Sequence, residues 1–213
     1  MNLIIEKDYK SLSKTAAGIV KDEIEIKPNL ILGLATGSTP LGTYEELIRM
    51  HKEEGLDFSK VITFNLDEYL NLSPDNPQSY HYYMEENLFK HINVKRDNVN
   101  IPDGNARNIE EFCKDYSNKI EEAGGIDLQI LGIGPNGHIA FNEPSDRLSL
   151  ETHVVSLTKS TIEANARFFD SIDEVPRKAV SMGMKDIMNA KKIILLANGR
   201  NKSQIMKEIL TGN

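Results

Sequence analysis

Four short apolar segments alternate along the sequence with stretches of helical periodicity. The segments Leu30–Leu34, Val61–Phe64, Ile126–Ile133 and Lys192–Ala197 have the length and composition of buried β-strands. Between them, apolar residues recur at helical spacing, as in the stripe from Ile109 to Ile120. Strands that alternate with helices predict an α/β fold, with a mostly parallel central sheet and helices on both faces in an open, Rossmann-like sandwich.

The composition is ordinary for a globular enzyme. A length of 213 residues with 39% hydrophobic content predicts one domain, residues 1–213. The longest apolar runs are strand-sized, so no contact with a membrane is expected. The net charge of −7 argues against a nucleic-acid partner. The single cysteine, Cys113, lies on a helical stripe and is expected in the core, and its isolation suits a cytoplasmic protein.

Two local patterns lead to further predictions of secondary structure. Leu3-Ile4-Ile5 has the composition of a short strand. The segment Ala179–Met188 has helical spacing, with methionines on the face expected to pack.

The loop after the first long strand has the features of a phosphate site. It offers hydroxyls and backbone N–H groups at the start of a helix, where the helix dipole favours an anion. The segment lacks the GxxxxGK[ST] and GxGxxG spacings, so neither a nucleoside triphosphate nor a dinucleotide is indicated. The alternative is an ordinary capped strand-to-helix turn. The loop residues are Thr36, Gly37, Ser38 and Thr39, followed by Pro40.

Two other strand ends carry acid–base groups. Asp67 follows the Val61–Phe64 strand, and a glycine-rich loop with His138 and Glu143 follows the Ile126–Ile133 strand. Ligands of α/β proteins bind at the carboxyl ends of the strands, so these groups are expected to meet there. Taken singly, each has an alternative interpretation, a solvated loop acid or a solvated histidine in a turn.

Four motifs together resemble the glucosamine-6-phosphate deaminase family. The resemblance covers essentially the whole chain and implies an enzyme that converts glucosamine 6-phosphate and water to fructose 6-phosphate and ammonia, without metal or cofactor. It implies that Asp67 transfers the C2 proton, that His138 opens the sugar ring and that Glu143 orients the imidazole. The motifs are Gly33-Leu34-Ala35-Thr36-Gly37-Ser38-Thr39-Pro40, Thr63-Phe64-Asn65-Leu66-Asp67-Glu68-Tyr69, Gly137-His138-Ile139-Ala140-Phe141-Asn142-Glu143-Pro144 and Ala164-Asn165-Ala166-Arg167-Phe168-Phe169.

The resemblance also implies how the substrate is held. Arg167 and Lys202 join the Thr36–Thr39 loop at the phosphate, and a mobile lid spans about residues 153–182. Asn136 stands where family members often carry Asp; an asparagine can still accept a hydrogen bond from the imidazole, but it supplies no charge. Family members usually continue for some tens of residues beyond Asn213.

A further implication concerns assembly. In some family members an acetylated amino sugar phosphate binds between the subunits of a hexamer through basic residues shortly after the Asn-Glu-Pro motif. Here His153 and Val155 occupy those positions, and Val155 cannot donate to a phosphate. The chain is therefore expected to be a monomer or a small homo-oligomer with hyperbolic kinetics.

Two alternative functions remain at this level. A 6-phosphogluconolactonase shares the phosphate loop and the Gly-His turn but needs no base at C2. A non-catalytic sugar-phosphate sensor of the same fold would normally carry a helix-turn-helix module, for which this chain has no room.

Overall fold

A parallel five-stranded sheet forms the centre of the molecule. The computed structural model describes residues 2–166 and 169–212. Its strands are β1 (Ile31–Leu34), β2 (Ile62–Asn65), β4 (Val99–Asn100), β5 (Leu128–Gly132) and β8 (Lys192–Leu196). The strand order is β4-β2-β1-β5-β8, and every pairing is parallel. The predicted α/β fold with a mostly parallel sheet is thus confirmed.

Helices cover both faces of this sheet. Successive side chains of each strand point to opposite faces, so an apolar core forms on each face and is covered by helices. Leu32 and Leu34 of β1 face one core, and Ile31 faces the other. The first core receives α1 (Tyr9–Ile26), α2 (Leu41–Arg49) and α3 (Tyr80–Asn87), and the second receives α4 (Ile109–Glu122) and α6 (Met184–Met188). Helix α5 (Lys159–Asn165) lies between α4 and α6 in the chain, and α7 (Ser203–Thr211) follows β8.

A second sheet is antiparallel and has three strands. Its order is β3 (Asp67–Tyr69), β7 (Lys178–Ser181) and β6 (His153–Ser156). Strand β3 follows β2 after one residue, so the chain passes directly from the large sheet into the small one. In the small sheet Ser181 pairs with Asp67 on one side and with His153 on the other.

Two predictions of local structure are wrong. Residues 3–5 lie outside any strand and are exposed, because no strand among the described residues pairs with them. The segment Ala179–Met188 is not one helix: its first residues belong to β7, and α6 begins at Met184. Pairing on both sides and the burial of Ala179 and Val180 outweigh the helical spacing there.

The order of strands places the loops of interest side by side. The loop after β2 leads to Asp67, and the loop after β1 is the predicted phosphate loop. The loops after β5 and β8 carry His138 and Lys202. Strands β2, β1, β5 and β8 are neighbours and parallel, so all four loops leave the same edge of the sheet. Over the described part of the chain, no helix has the length and apolarity that crossing a membrane requires.

Candidate active site

A cavity of about 550 Å³ opens at this edge of the sheet. It lies between the phosphate loop, β3 and the histidine loop, with Thr161 and Asn165 of α5 on another side. Sequence analysis did not single out these two residues of α5. Of the predicted site residues, Thr36, Gly37, Ser38, Thr39, Asp67, Asn136, His138 and Lys202 line the cavity.

Glu143 does not line the cavity but is hydrogen bonded to Asn136, which does. The predicted phosphate ligand Arg167 lies outside the described residues.

The phosphate loop presents free amide groups. Gly37 has a φ of +103°, a conformation that favours glycine and turns the chain sharply before α2. The backbone N–H groups of Gly37, Ser38 and Thr39 have no acceptor among residues 2–166 and 169–212. Because unpaired donors at a helix N-terminus suit an anion, the loop is built to receive one.

Tyrosines hold the loop carbonyls, which keeps the amides turned toward the cavity. The Tyr83 hydroxyl donates to the Gly37 carbonyl at 2.6 Å. The Tyr9 hydroxyl lies 2.9 Å from the Ser38 carbonyl and 3.1 Å from the Thr39 carbonyl. No local sequence signal identifies these tyrosines, because Tyr9 and Tyr83 come from α1 and α3, far from the loop in sequence.

The loop after β8 joins the same side of the cavity. Asn198 accepts a hydrogen bond from the Thr39 hydroxyl at 3.1 Å, which ties this loop to the phosphate loop. Lys202 follows immediately before α7 and is half-buried, and this burial lowers the pKa of its amino group. Lys202 lines the same cavity as the free amides.

Asn136 bridges the histidine and Glu143. Its side-chain N–H donates to Glu143 Oε2 at 2.6 Å, and its oxygen lies 2.6 Å from His138 Nδ1. Because the Glu143 carboxylate accepts from the amide N–H, the amide oxygen faces the histidine and Nδ1 carries the ring proton. The direct distance from His138 Nδ1 to Glu143 is 3.8 Å, so Asn136 transmits the orientation.

These surroundings keep the imidazole neutral near pH 7. Burial lowers the pKa of His138, the Glu143 carboxylate opposes that change, and the Lys202 cation adds to it. With the proton on Nδ1, the neutral ring has a free acceptor at Nε2.

Glycine at position 134 allows the histidine to take this place. A Cβ at Gly134 would lie 2.2 Å from Cε1 of the His138 ring, well inside contact distance. The backbone closes the loop through a hydrogen bond from the Gly134 N–H to the His138 carbonyl at 2.9 Å. Any side chain at this position would displace the imidazole.

The other oxygen of Glu143 anchors the histidine loop to α5. It accepts from the Thr161 hydroxyl at 2.9 Å and from the Thr158 hydroxyl at 3.3 Å. Thr158 is also the N-cap of α5. The start of this helix is thereby coupled through Glu143 and Asn136 to His138, a connection that the sequence pattern did not reveal.

Asp67 is almost completely buried at the base of the cavity. It is 6% exposed, and its carboxyl group has no hydrogen-bond partner within the described ranges. Burial first, and then the charge of the adjacent Glu68, raise the pKa of Asp67 to about 8. A carboxyl group with a raised pKa is a stronger base once ionised, which suits proton transfer at carbon.

The single cysteine does not line this cavity. Cys113 is buried in α4, as predicted, and burial raises the pKa of its thiol to about 11. Within the described ranges, no three His, Cys, Asp or Glu side chains cluster in a way that could hold a metal ion.

Comparison with known proteins gives one consistent result. Residues 6–213 match the family model of glucosamine-6-phosphate isomerases/6-phosphogluconolactonase. The glucosamine-6-phosphate deaminase of Thermoanaerobacter sp. (strain X514) is 61% identical, over 100% of this chain and 84% of that protein.

Solved structures agree with this match. A monomeric glucosamine-6-phosphate deaminase, 47% identical over 100% of this chain and 88% of its own, superposes with a TM-score of 0.97. The 6-phosphogluconolactonase of Thermotoga maritima is 24% identical over 100% and 89% of the two chains, with a TM-score of 0.74, and shares the fold. The chain therefore belongs to the family of glucosamine-6-phosphate isomerases and 6-phosphogluconolactonases.

Proposed function

We propose that this protein is a glucosamine-6-phosphate deaminase, which converts glucosamine 6-phosphate and water to fructose 6-phosphate and ammonia. One observation carries the proposal: a buried carboxyl group, Asp67, shares a cavity with a neutral histidine, His138, and with a loop of free amides. Relatives that are 55% and 61% identical and bear this name support it.

Ring opening is the first step and falls to His138. Its free Nε2 takes the proton of the anomeric hydroxyl, and the resulting imidazolium gives a proton to the ring oxygen as the C1–O5 bond breaks. Asn136 and Glu143 hold the ring in the required tautomer, and the Glu143 charge stabilises the transient imidazolium.

Proton transfer from C2 to C1 falls to Asp67. Its carboxylate removes the C2 proton to give an enolamine, and a proton is then returned to C1. Water adds to the C2 iminium that results, and the C–N bond breaks to release ammonia. Substrate binding assists this step, because the cationic amino group at C2 favours the ionised form of Asp67.

The substrate phosphate is proposed to bind at the phosphate loop. The free N–H groups and hydroxyls of Thr36, Gly37, Ser38 and Thr39 receive its oxygens, and Lys202 adds a positive charge. Arg167 is proposed as the bidentate partner of the same phosphate, by the family motif that it occupies.

The same proposal includes a closing movement and a location. The proposed lid, about residues 153–182, starts at β6 and ends one residue after β7. Closure brings α5 over the substrate and excludes water.

The protein is proposed to act in the cytoplasm, as a monomer like the solved deaminase or as a small homo-oligomer.

A panel of phosphorylated sugars tests the proposal. Ammonia release from glucosamine 6-phosphate is expected, with little or none from unphosphorylated glucosamine. Galactosamine 6-phosphate in the same panel defines the preference at C4. Hydrolysis of 6-phosphogluconolactone without ammonia release from any amino sugar would overturn the proposal in favour of the lactonase alternative. Binding without turnover of any compound would favour a sensor.

A further inference from the structure

A second carboxylate is buried beside the proposed base. Glu68 is 1% exposed, and its two oxygens accept three backbone hydrogen bonds. Oε1 accepts from the backbone N–H groups of Tyr69 at 2.8 Å and Tyr80 at 3.0 Å. Oε2 accepts from the backbone N–H of His81 at 2.9 Å and lies 2.8 Å from its ring Nδ1. Three backbone N–H groups directed at the two oxygens are surroundings that stabilise a carboxylate.

Helix α3 fixes this negative charge in place. Tyr80 and His81 are the first two residues of the helix, so their N–H groups lie at its positive end and would otherwise lack acceptors. The Ser79 hydroxyl satisfies a third N–H, that of Tyr82, at 3.0 Å. Glu68 therefore completes the cap of α3, and these hydrogen bonds hold it there, outside the cavity lining.

The fixed charge acts on Asp67, the residue before it. Burial and the Glu68 charge together account for the pKa of Asp67 near 8. The tyrosine hydroxyls around Asp67 are neutral, because burial raises the pKa of each of them. His138 and Lys202 line the same cavity. These tyrosines are Tyr44 of α2, Tyr69 of β3, Tyr80 of α3 and Tyr116 of α4.

We propose that Glu68, held in place by His81 and the start of α3, is a positioning residue that sets the proton occupancy of Asp67 and so the acid limit of the reaction. The inference rests on the proposed role of Asp67 as the base. Glu68 does not line the cavity and acts only through its charge. The His81 side chain lines a second cavity, of about 500 Å³, and is 30% exposed, so a longer cationic side chain at this position has room beside Glu68.

Two substitutions test the inference through the same readout. Glu68→Gln keeps the shape and one oxygen acceptor but removes the charge. His81→Lys leaves Glu68 in place and pairs it with a permanent cation. Each is expected to move the acid limb of the pH profile of kcat/KM for ammonia release downward, by about one pH unit or more for Glu68→Gln. His91→Lys is the matched control, since it adds the same charge just beyond the end of α3, and its profile is expected to stay in place.

A direct titration separates this inference from the proposed function. The Asp67 carboxyl carbon, followed by NMR in ¹³C-labelled protein, is expected to titrate at lower pH in both variants than in the wild type, whether or not any substrate is turned over. Unchanged Asp67 titration in folded Glu68→Gln or folded His81→Lys would overturn the inference. Failure of the wild type to release ammonia would overturn the proposed function alone.

Discussion

At the scale of single residues, the proposed mechanism depends most on Asp67. Asp67→Asn keeps the volume but cannot accept the C2 proton, so turnover is expected to fall roughly 100- to 10,000-fold, the usual value of general base catalysis. Substrate binding is expected to persist, because the phosphate loop is untouched. Ammonia release and calorimetric binding measure the two effects, with Asp75→Asn as a control at a surface loop. Near wild-type turnover in Asp67→Asn would remove the base assignment.

The Asn136 side chain links His138 to Glu143 by hydrogen bonds. Asn136→Asp removes the N–H that donates to Glu143 and adds a negative charge beside His138. An added negative charge favours the imidazolium, so the pKa of His138 rises and neutral imidazole is available only at higher pH. The pH optimum is expected to move upward with the same products. A pH-rate profile measures this, and an unmoved profile would show that residue 136 does not act on the imidazole.

Lys202 is proposed as a point charge for the substrate phosphate. Lys202→Ala is expected to raise KM about 10- to 150-fold, the range of a charge-assisted hydrogen bond of ~1.5–3 kcal/mol. Lys207→Ala is the control, because Lys207 lies on α7, just after Lys202, but is exposed and outside the cavity lining. Equal KM values for the two variants would contradict the placement of the phosphate near Lys202.

At the scale of elements, the phosphate loop works because α1 and α3 hold its carbonyls. Tyr83→Phe removes the hydrogen bond to the Gly37 carbonyl, which frees the loop to turn its amides away from the cavity. KM is expected to rise about 2- to 12-fold, from one hydrogen bond of ~0.5–1.5 kcal/mol, with kcat little changed. Steady-state kinetics test this against Tyr82→Phe, a change at the adjacent exposed tyrosine of α3. A larger loss of kcat than of binding would place Tyr83 in the chemistry instead.

At the scale of the whole molecule, Asp67 couples stability to pH. Its pKa is raised from 3.8 to about 8 by folding, so the folded state keeps a proton that the unfolded chain has lost. The stability that the protonated form provides is complete below pH 3.8 and is lost as pH rises toward 8. Each pH unit in that window lowers the stability of the wild type by about 1.4 kcal/mol at most, or ~3–5 °C in Tm.

The Asp67→Asn variant is expected to lack this loss of stability, because asparagine does not ionise. The Tm advantage of Asp67→Asn over the wild type is therefore expected to grow from pH 4 toward pH 8 and then to level off, as measured by calorimetry. A constant difference in Tm across that range would show that Asp67 has an ordinary pKa in the folded protein.

The sequence alone determined those features that depend on neighbouring residues. The spacing of apolar residues predicts the main strands and helices, and each strand is followed directly by its loop, so the chemistry of each loop could be assigned to a strand end. The parallel alternation of elements then implies that Thr36–Thr39, Asp67 and His138 meet at one edge of the sheet. Burial of Cys113 follows from the same helical spacing.

Tertiary structure decided whatever depends on groups far apart in the chain. Residues 178–181 form a strand rather than a helix because β3 and β6 pair with them on both sides. The tyrosine contacts to the phosphate loop, the link from Glu143 to α5 and the Glu68–His81 pair join residues 13 to 46 positions apart. Periodicity and motif spacing describe local geometry, whereas such contacts and the pKa of Asp67 arise only when packing removes water from these groups.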